Sequence, residues 1–438
     1  MPRTMPLTRR ALTALMLSAA MLPAPFAAAQ TAAPASDAPV TIRFYNYNLA
    51  SAGIGKEGTE EMLGAFAQSH PHITIEPVPT PAAEVMARIQ ADVIAGNGPD
   101  LAQVIFADLG YVVENFGIAP LEDVVPADEL TAHLGGMFPN GVELGRLGGK
   151  TYGLAYVFST PVLFYNADLF RAAGLDPDAP PLTWAEVAAA ADAIAATGNV
   201  GLATGIFGPS AYDWLFQGFI RSNGGRVMSD DRKRMMFGEP EAVEAILTLR
   251  AMAQSGAMPN LPVAGAIEAM SSGKAGMYLQ TSAVQGALMR GAKGNFDLRA
   301  APMPTFAGKP ATPTNSGSAL VIMARDPARQ RAAWELMRHL TSDYAYTVIT
   351  SRIGYVPLRP NAIESEEFLA PWLRENPIVA PNIAQLSVLT PWVPLPGPNY
   401  RQILATMMNA AEQAVFGEGD PAKILAEAQA RAQALIPR

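Results

Sequence analysis

The sequence predicts an α/β architecture in two bodies, and three observations carry that prediction. β-branched runs alternate with amphipathic helical stretches through the first third of the chain. The length, 438 residues, exceeds what one hydrophobic core ordinarily organises. A further set of strand- and helix-like segments begins near Thr151 and continues to the end.

The opening residues read as an export signal rather than as part of the fold. Arg3, Arg9 and Arg10 form a positive start and Ala11–Met21 is apolar. The apolar run is shorter than the roughly 20 residues a membrane span needs. Small residues, Ala27-Ala28-Ala29, then precede Gln30, the pattern of a cleavage site. Arg9-Arg10 followed by Leu12 also fits the opening of a twin-arginine signal. A signal peptide over 1–29 and a flexible Ala/Pro/Ser leader over 30–39 are therefore expected.

The elements follow in order. Val40–Phe44 alternates as a strand. Thr59–His70 places Met62, Leu63 and Phe66 on one helical face, with Thr59 as N-cap. Ile73–Val78 is a second strand, Pro81–Ala95 a helix stopped by Gly96-Asn97-Gly98-Pro99, and Leu101–Phe106 a third strand. This succession within about 65 residues predicts parallel pairing. Ligands of such sheets sit at the strands' carboxyl ends, so Tyr45-Asn46-Tyr47 and Phe106-Ala107-Asp108 fall at a cleft rim. From Thr151 to Asn166 two strands join near Ser159-Thr160-Pro161. Thr183-Trp184-Ala185-Glu186 is a capping box opening an Ala-rich helix. Helices are expected at Ala211–Ser222, Pro240–Ser255, Ala264–Ser272 and Pro327–Thr341, and strands at Ala275–Leu279 and Ala319–Met323. Tyr400–Leu435 reads as two helices split at Gly417–Pro421.

Composition narrows the function. There is no cysteine, which removes disulfides, thiol nucleophiles, cysteine metal sites and a lipid-anchoring cysteine together. The formal charge is -8, and without the first 30 residues, which hold three arginines and no acids, it is -11. No basic run exists to neutralise phosphates, so no nucleic-acid partner is expected. Gly148-Gly149-Lys150-Thr151 imitates the end of a phosphate-binding loop, but Leu144 stands where the motif needs glycine, and a turn before a strand is expected instead. No G-x-S-x-G elbow occurs. Of the four histidines, His70 and His72 flank a proline with no third ligand nearby, so no metal site is expected. Catalytic residues and cofactors are not expected either.

Gly148–Asp178, with the S-T-P-V-L-F-Y-N stretch at its centre and P-P-L-T-W-A-E close behind, resembles the extracellular solute-binding proteins of ABC sugar importers, a family that includes maltose- and glycerol-3-phosphate-binding proteins. Gly96–Asp100, Asn315–Ile322, Gly354–Pro357 and Asp420–Leu425 extend the resemblance over nearly the whole chain past the leader. It implies a two-lobe periplasmic binding protein fold, each lobe a mostly parallel sheet flanked by helices, with a ligand cleft between. Chain crossings are implied near Thr160, near Ser316–Ala319 and after Pro357. The implied lobes are 37–159 plus 319–358 and 160–318 plus 359–438. The implied role is capture of a sugar or polyol without chemistry by a soluble, monomeric periplasmic protein, which then docks on an ABC permease in the inner membrane.

Sugars need aromatic faces and fixed polar groups. Tyr45, Phe106, Trp214, Tyr355, Trp392 and Tyr400 are the candidate aromatics, joined by Asn46 and Asp108 at the rim. The resemblance to glycerol-3-phosphate binders implies ligand contacts for Ser159, Ser282, Gly317 and Tyr355, and Ser316 is added as a polar contact. Three positions depart from that group. Ala82 or Ala83 replaces a tyrosine, Phe106 a glutamate and Pro396 an arginine, with Arg401 five residues on as a substitute cation. Arginine forks onto phosphate and proline does not, so a neutral sugar or polyol is favoured over glycerol-3-phosphate or a glycerophosphodiester. A secreted carbohydrate-active enzyme and a chemoreceptor-loading protein are the other readings.

Overall fold

The computed structural model describes residues 38–50, 54–207 and 213–437. The expected signal peptide, most of the leader, and Ala211–Tyr212 at the start of the expected Ala211–Ser222 helix lie outside the described residues. Among the described residues, eleven strands run in chain order: β1 (Val40–Asn46), β2 (Ile73–Pro79), β3 (Leu101–Ile105), β4 (Arg146–Leu147), β5 (Lys150–Thr151), β6 (Leu154–Ser159), β7 (Pro161–Asn166), β8 (Val200–Thr204), β9 (Ala275–Thr281), β10 (Leu298–Pro302) and β11 (Ser316–Ile322). They form one sheet in the order β2-β1-β3-β11-β6, another in the order β10-β7-β9-β8, and the small hairpin β4-β5.

The first sheet and its helices make one lobe and the second sheet and its helices the other. β1 pairs parallel with β2 and β3, as the βαβαβ succession requires. β11 pairs antiparallel with both β3 and β6. In the second sheet only β8 and β9 are parallel. Both sheets are thus mixed rather than mostly parallel. The strands that break the rule, β6, β7 and β11, are those through which the chain passes between lobes, so their direction is set by the passage and not by a local crossover helix.

Strands buried on both faces explain the unbroken apolar runs in the sequence. All six residues of β6 and of β7 are buried. β7 alternates with period two: Val162 and Phe164 enter a small outer core with Tyr278 and Leu288, whereas Leu163 and Tyr165 join the main core. Each such large apolar side chain removed from water contributes about 1.5–3 kcal/mol.

Most helices fall where their signals stand. Thr183 and Glu186 form both bonds of the capping box. Tyr400–Phe416 and Pro421–Gln433 are the two closing helices. Gly148 and Gly149, both at positive φ, make the turn between β4 and β5. Two expectations are corrected. The first helix spans Ile54–Ser69, so Thr59 is an interior residue, fully buried, whose Oγ1 donates to the Gly55 carbonyl at 2.8 Å. Gly55 and Gly58 hide this extension, because their low helix propensity is overridden by packing. The second helix starts at Val85, with Pro81–Glu84 as its lead-in turn.

Arg359 is buried against the Ala127–Gly135 helix. Its Nε donates to the Thr341 carbonyl at 2.7 Å and its Nη2 to the His133 carbonyl at 3.1 Å. Burial, then the charges of Arg359 and Arg338, drive the His133 pKa down to about 3 from 6.5. Between those values the unfolded chain binds a proton that the folded chain refuses. The contribution is therefore complete above about pH 6.5 and is lost as pH falls toward 3. Urea unfolding of wild type should show a lower midpoint at about pH 4.5 than at about pH 7. His133→Gln, which has no such proton to take up, should show a clearly smaller drop; an equal drop would refute the assignment.

Candidate functional site between the lobes

The lobes meet where β6 ends at Ser159 and β7 begins at Pro161, with Thr160 alone between them. Thr160 is fully buried: its hydroxyl donates to Asn382 Oδ1 at 2.8 Å and its carbonyl accepts from the Ser282 N–H at 3.2 Å. Ser159 Oγ accepts from the Thr281 hydroxyl, and Ser159 lies opposite Ser316 in the β6–β11 ladder. Gly317 follows at φ 112°, and a Cβ there would stand 2.1 Å from the Val157 carbonyl oxygen. Only glycine fits this close approach.

One residue before Ser316, Asn315 accepts the Trp392 backbone N–H at 2.7 Å, and its Nδ2 is buried without a partner. The Trp392 indole donates to Asp213 Oδ1 at 2.9 Å, and Gln217 Nε2 donates to Asp213 Oδ2 at 2.8 Å. Burial pushes the Asp213 carboxyl up to about 6, against the pull of these donors. Trp214, next along, accepts the Thr314 hydroxyl through its carbonyl. Ser282 Oγ is buried and unpartnered. The joint thus gathers Ser159, Ser282, Ser316, Gly317, Trp214 and Trp392 with two residues the sequence reading did not single out, Asp213 and Asn315. Each had a signal: a carboxylate beside Trp-Leu-Phe, and an amide at the entrance to an apolar strand.

On the first-lobe side, the Tyr47 hydroxyl donates to Ser318 Oγ at 3.2 Å and its N–H to Gln103 Oε1 at 3.0 Å. Gln103 Nε2 reaches the same serine at 2.9 Å. Burial raises the Tyr355 phenol, whose hydrogen-bonding neighbour is Tyr47. Asn46 Oδ1 caps Leu49 N–H at 2.9 Å, and the deeply buried Tyr156 hydroxyl has Thr59, Asn46 and Asn48 as its polar neighbours. Tyr45 is not brought to this group. It is fully buried, with its hydroxyl donating to Asp92 on the Val85–Ile94 helix.

Phe106 and Asp108 lie in the helix Phe106–Phe116, which starts directly from β3 with no loop between. Both are buried. This helix touches the other lobe. Asp108 accepts from the Tyr400 hydroxyl and from Arg401 Nη2 at 3.2 Å. The Tyr111 and Tyr400 rings lie 5.6 Å apart, and Glu114 pairs with Arg232 at 3.2 Å. Residues 108, 111 and 114 share one helical face. Burial raises the Asp108 pKa, with Tyr400 and Arg401 opposing. Asp108, Tyr400 and Arg401 are thus bonded to one another. Beside them a 300 Å³ cavity spans the gap, lined by Ala83, Ala87 and Gln90 on one side and Pro398, Tyr400 and Arg401 on the other. A larger groove of 840 Å³, lined by Tyr165, Phe296, Arg299 and Pro377, lies beside β10 and shares none of the residues of the joint. Among the described residues no group of three or more His, Cys, Asp or Glu could hold a metal, and no helix is long and apolar enough to cross a membrane.

Two mixed sheets, joined by a one-residue link and facing each other over a polar gap, define a binding protein of the hinged, two-lobe kind. The chain belongs to the bacterial extracellular solute-binding protein family, whose model matches residues 61–377. A protein of Brucella abortus (strain 2308) named as a binding protein is 25% identical over 393 residues, covering 86% of this chain and 90% of its own. The sn-glycerol-3-phosphate-binding periplasmic protein UgpB of Pectobacterium atrosepticum is 25% identical over 408 residues, 88% of this chain and 89% of that one. Among solved structures, the cyclic alpha-maltosyl-1,6-maltose binding protein from Arthrobacter globiformis matches with a TM-score of 0.78 at 21% identity, over 90% of this chain and 98% of that one. UgpB from Mycobacterium tuberculosis in complex with glycerophosphocholine matches at 0.76 and 20%, with the same coverage. At such identities the structural likeness is one of fold.

Replacing Gly317 tests the joint. Gly317→Ala should lower stability by on the order of 2 kcal/mol, through the strained φ and the collision with the Val157 carbonyl. Urea denaturation should show a lower midpoint at unchanged slope; an unshifted midpoint would mean the strand relaxes freely.

Proposed function

We propose that this protein is the periplasmic substrate-binding subunit of an ABC importer and that it captures a neutral carbohydrate or polyol between its lobes. The observation that carries the reading is the pairing, at the joint, of two indoles with two unmet neutral polar groups. Trp214 and Trp392, both buried, border the joint, and Asn315 Nδ2 and Ser282 Oγ are buried without partners. A buried unsatisfied polar group costs about 1–3 kcal/mol, which a solute hydroxyl at that position recovers. Sugars combine such hydroxyls with apolar ring faces.

The mechanism is differential affinity for closed lobes: the solute bridges both halves and shifts the population toward closure. The lobes are 37–159 plus 319–358 and 160–318 plus 359–438, behind a signal peptide at 1–29 and a leader at 30–39. The closed monomer, soluble in the periplasm without a lipid anchor, docks on an inner-membrane permease, and the solute is released unchanged. Ser159, Ser316 and the Gly317 backbone supply further polar contacts, and Tyr355 a phenol. A second reading, a glycerol-3-phosphate or glycerophosphodiester binder, draws on the names of the relatives. Ala82, Ala83, Phe106 and Pro396 weigh against it, since none offers a phosphate a hydrogen bond from its side chain.

A thermal-shift screen over neutral oligosaccharides, polyols and glycerophosphodiesters tests the proposal. A true solute at about 100 times its dissociation constant adds about 2.7 kcal/mol of stability. Neutral sugars or polyols should raise the melting temperature, and chromatography should recover them intact. A shift only with phosphodiesters transfers the assignment to the second reading, and hydrolysis products would overturn both.

A further inference from the structure

The cleft's two arginine–carboxylate pairs suggest how the protein chooses among solutes. Arg401 is the cation that lines the interlobe cavity, with its side chain half exposed, whereas the Asp108 side chain is 2% exposed. Nη2 of Arg401 faces both Asp108 oxygens, at 3.2 and 3.4 Å, and Nε donates to the Tyr400 hydroxyl at 2.9 Å. Tyr400 in turn donates to Asp108. Nε and Nη2 are one of the parallel N–H pairs with which a guanidinium forks onto a phosphate. Here that edge is taken up by the neighbouring carboxylate and phenol. Nearly two turns along the same helix, Glu114 meets Arg232, whose Nε already donates to the Pro394 carbonyl at 3.1 Å. Arg401 and Arg232, both from the second lobe, thus each find a carboxylate on this helix. A phosphate entering beside Arg401 would stand next to a carboxylate that is itself withdrawn from water.

We propose that Asp108 is a specificity-determining residue that excludes anionic solutes, by occupying one phosphate-forking edge of Arg401 and by its own charge. A neutral solute meets no such opposition. The inference rests on the reading of the interlobe gap as the solute site, and it assigns Asp108 and Arg401 a role other than direct contact with the solute.

Calorimetry on the full chain with sn-glycerol 3-phosphate and, separately, inorganic phosphate tests it in wild type, Asp108→Asn and Asp108→Asn/Arg401→Met. Asp108→Asn keeps an acceptor for Tyr400 and removes the charge. It should bind glycerol 3-phosphate at least about tenfold more tightly than wild type, and Arg401→Met in the same background should abolish the gain. Asp108→Ser, smaller and also neutral, is read in the same way should the asparagine variant fold poorly. Equal affinity in wild type and variants, no measurable phosphate binding by either neutral variant, or a gain that survives loss of Arg401 overturns the proposal. Failure of the carbohydrate reading shows separately, as a wild-type protein that no neutral sugar or polyol stabilises.

Discussion

Everything in this molecule depends on the single residue between two strands. Thr160 stands between the last residue of β6 and the first of β7, and it is held by Asn382 and the Ser282 amide. Gln385 reinforces the same spot, donating to the Pro161 carbonyl at 2.8 Å and accepting from the Met303 N–H at 3.0 Å. A link this short leaves few torsions free. The strands on either side of it, β6 and β7, are each locked into a sheet, so the residues around it are held in a fixed geometry. Ser159, Ser282, Ser316 and Gly317 stand at that place, and the contacts of Asp108, Tyr111 and Glu114 are made by other residues of the two lobes.

This division matches the chemistry of the two regions. Near the link the polar groups are neutral, short-sided and in part unpartnered, which suits a demanding but uncharged guest. At the rim the groups are charged and already bonded to each other, which suits closing the halves. Asp213 belongs to the first region in spite of its charge. Each of its oxygens accepts a hydrogen bond, from Trp392 and from Gln217, so it orients an indole.

Much of this was legible in the residues. The S-T-P-V junction, the capping box at Thr183 and the closing pair of helices are local signals, and local signals survive folding. The mixed sheets were not legible, because β11 reaches β3 and β6 only through a passage between lobes that no periodicity encodes. Gln103 and Ser318, bonded across that pairing, are 215 positions apart in the chain. The true reach of Asp108 was equally hidden: its partners Tyr400 and Arg401 lie 292 and 293 positions away. Tyr45 shows the reverse limit. It sits at a strand's carboxyl end, as the rim expectation requires, yet the alternation of β1 turns its ring toward the Val85–Ile94 helix and into the core. Position along a strand was readable; the facing of one side chain needed its partner.

The hydroxyls at the link have two duties at once, and this limits how the molecule can diversify. Ser282 anchors the Thr160 carbonyl with its amide while its hydroxyl faces unpartnered interior, and Ser159 both ends β6 and holds Thr281. A change of taste made at these positions would alter the gait of the hinge as well. Drift toward new cargoes is therefore channelled to the walls, where residues such as Ala83, Ala87 and Gln90 can be exchanged without disturbing the axle.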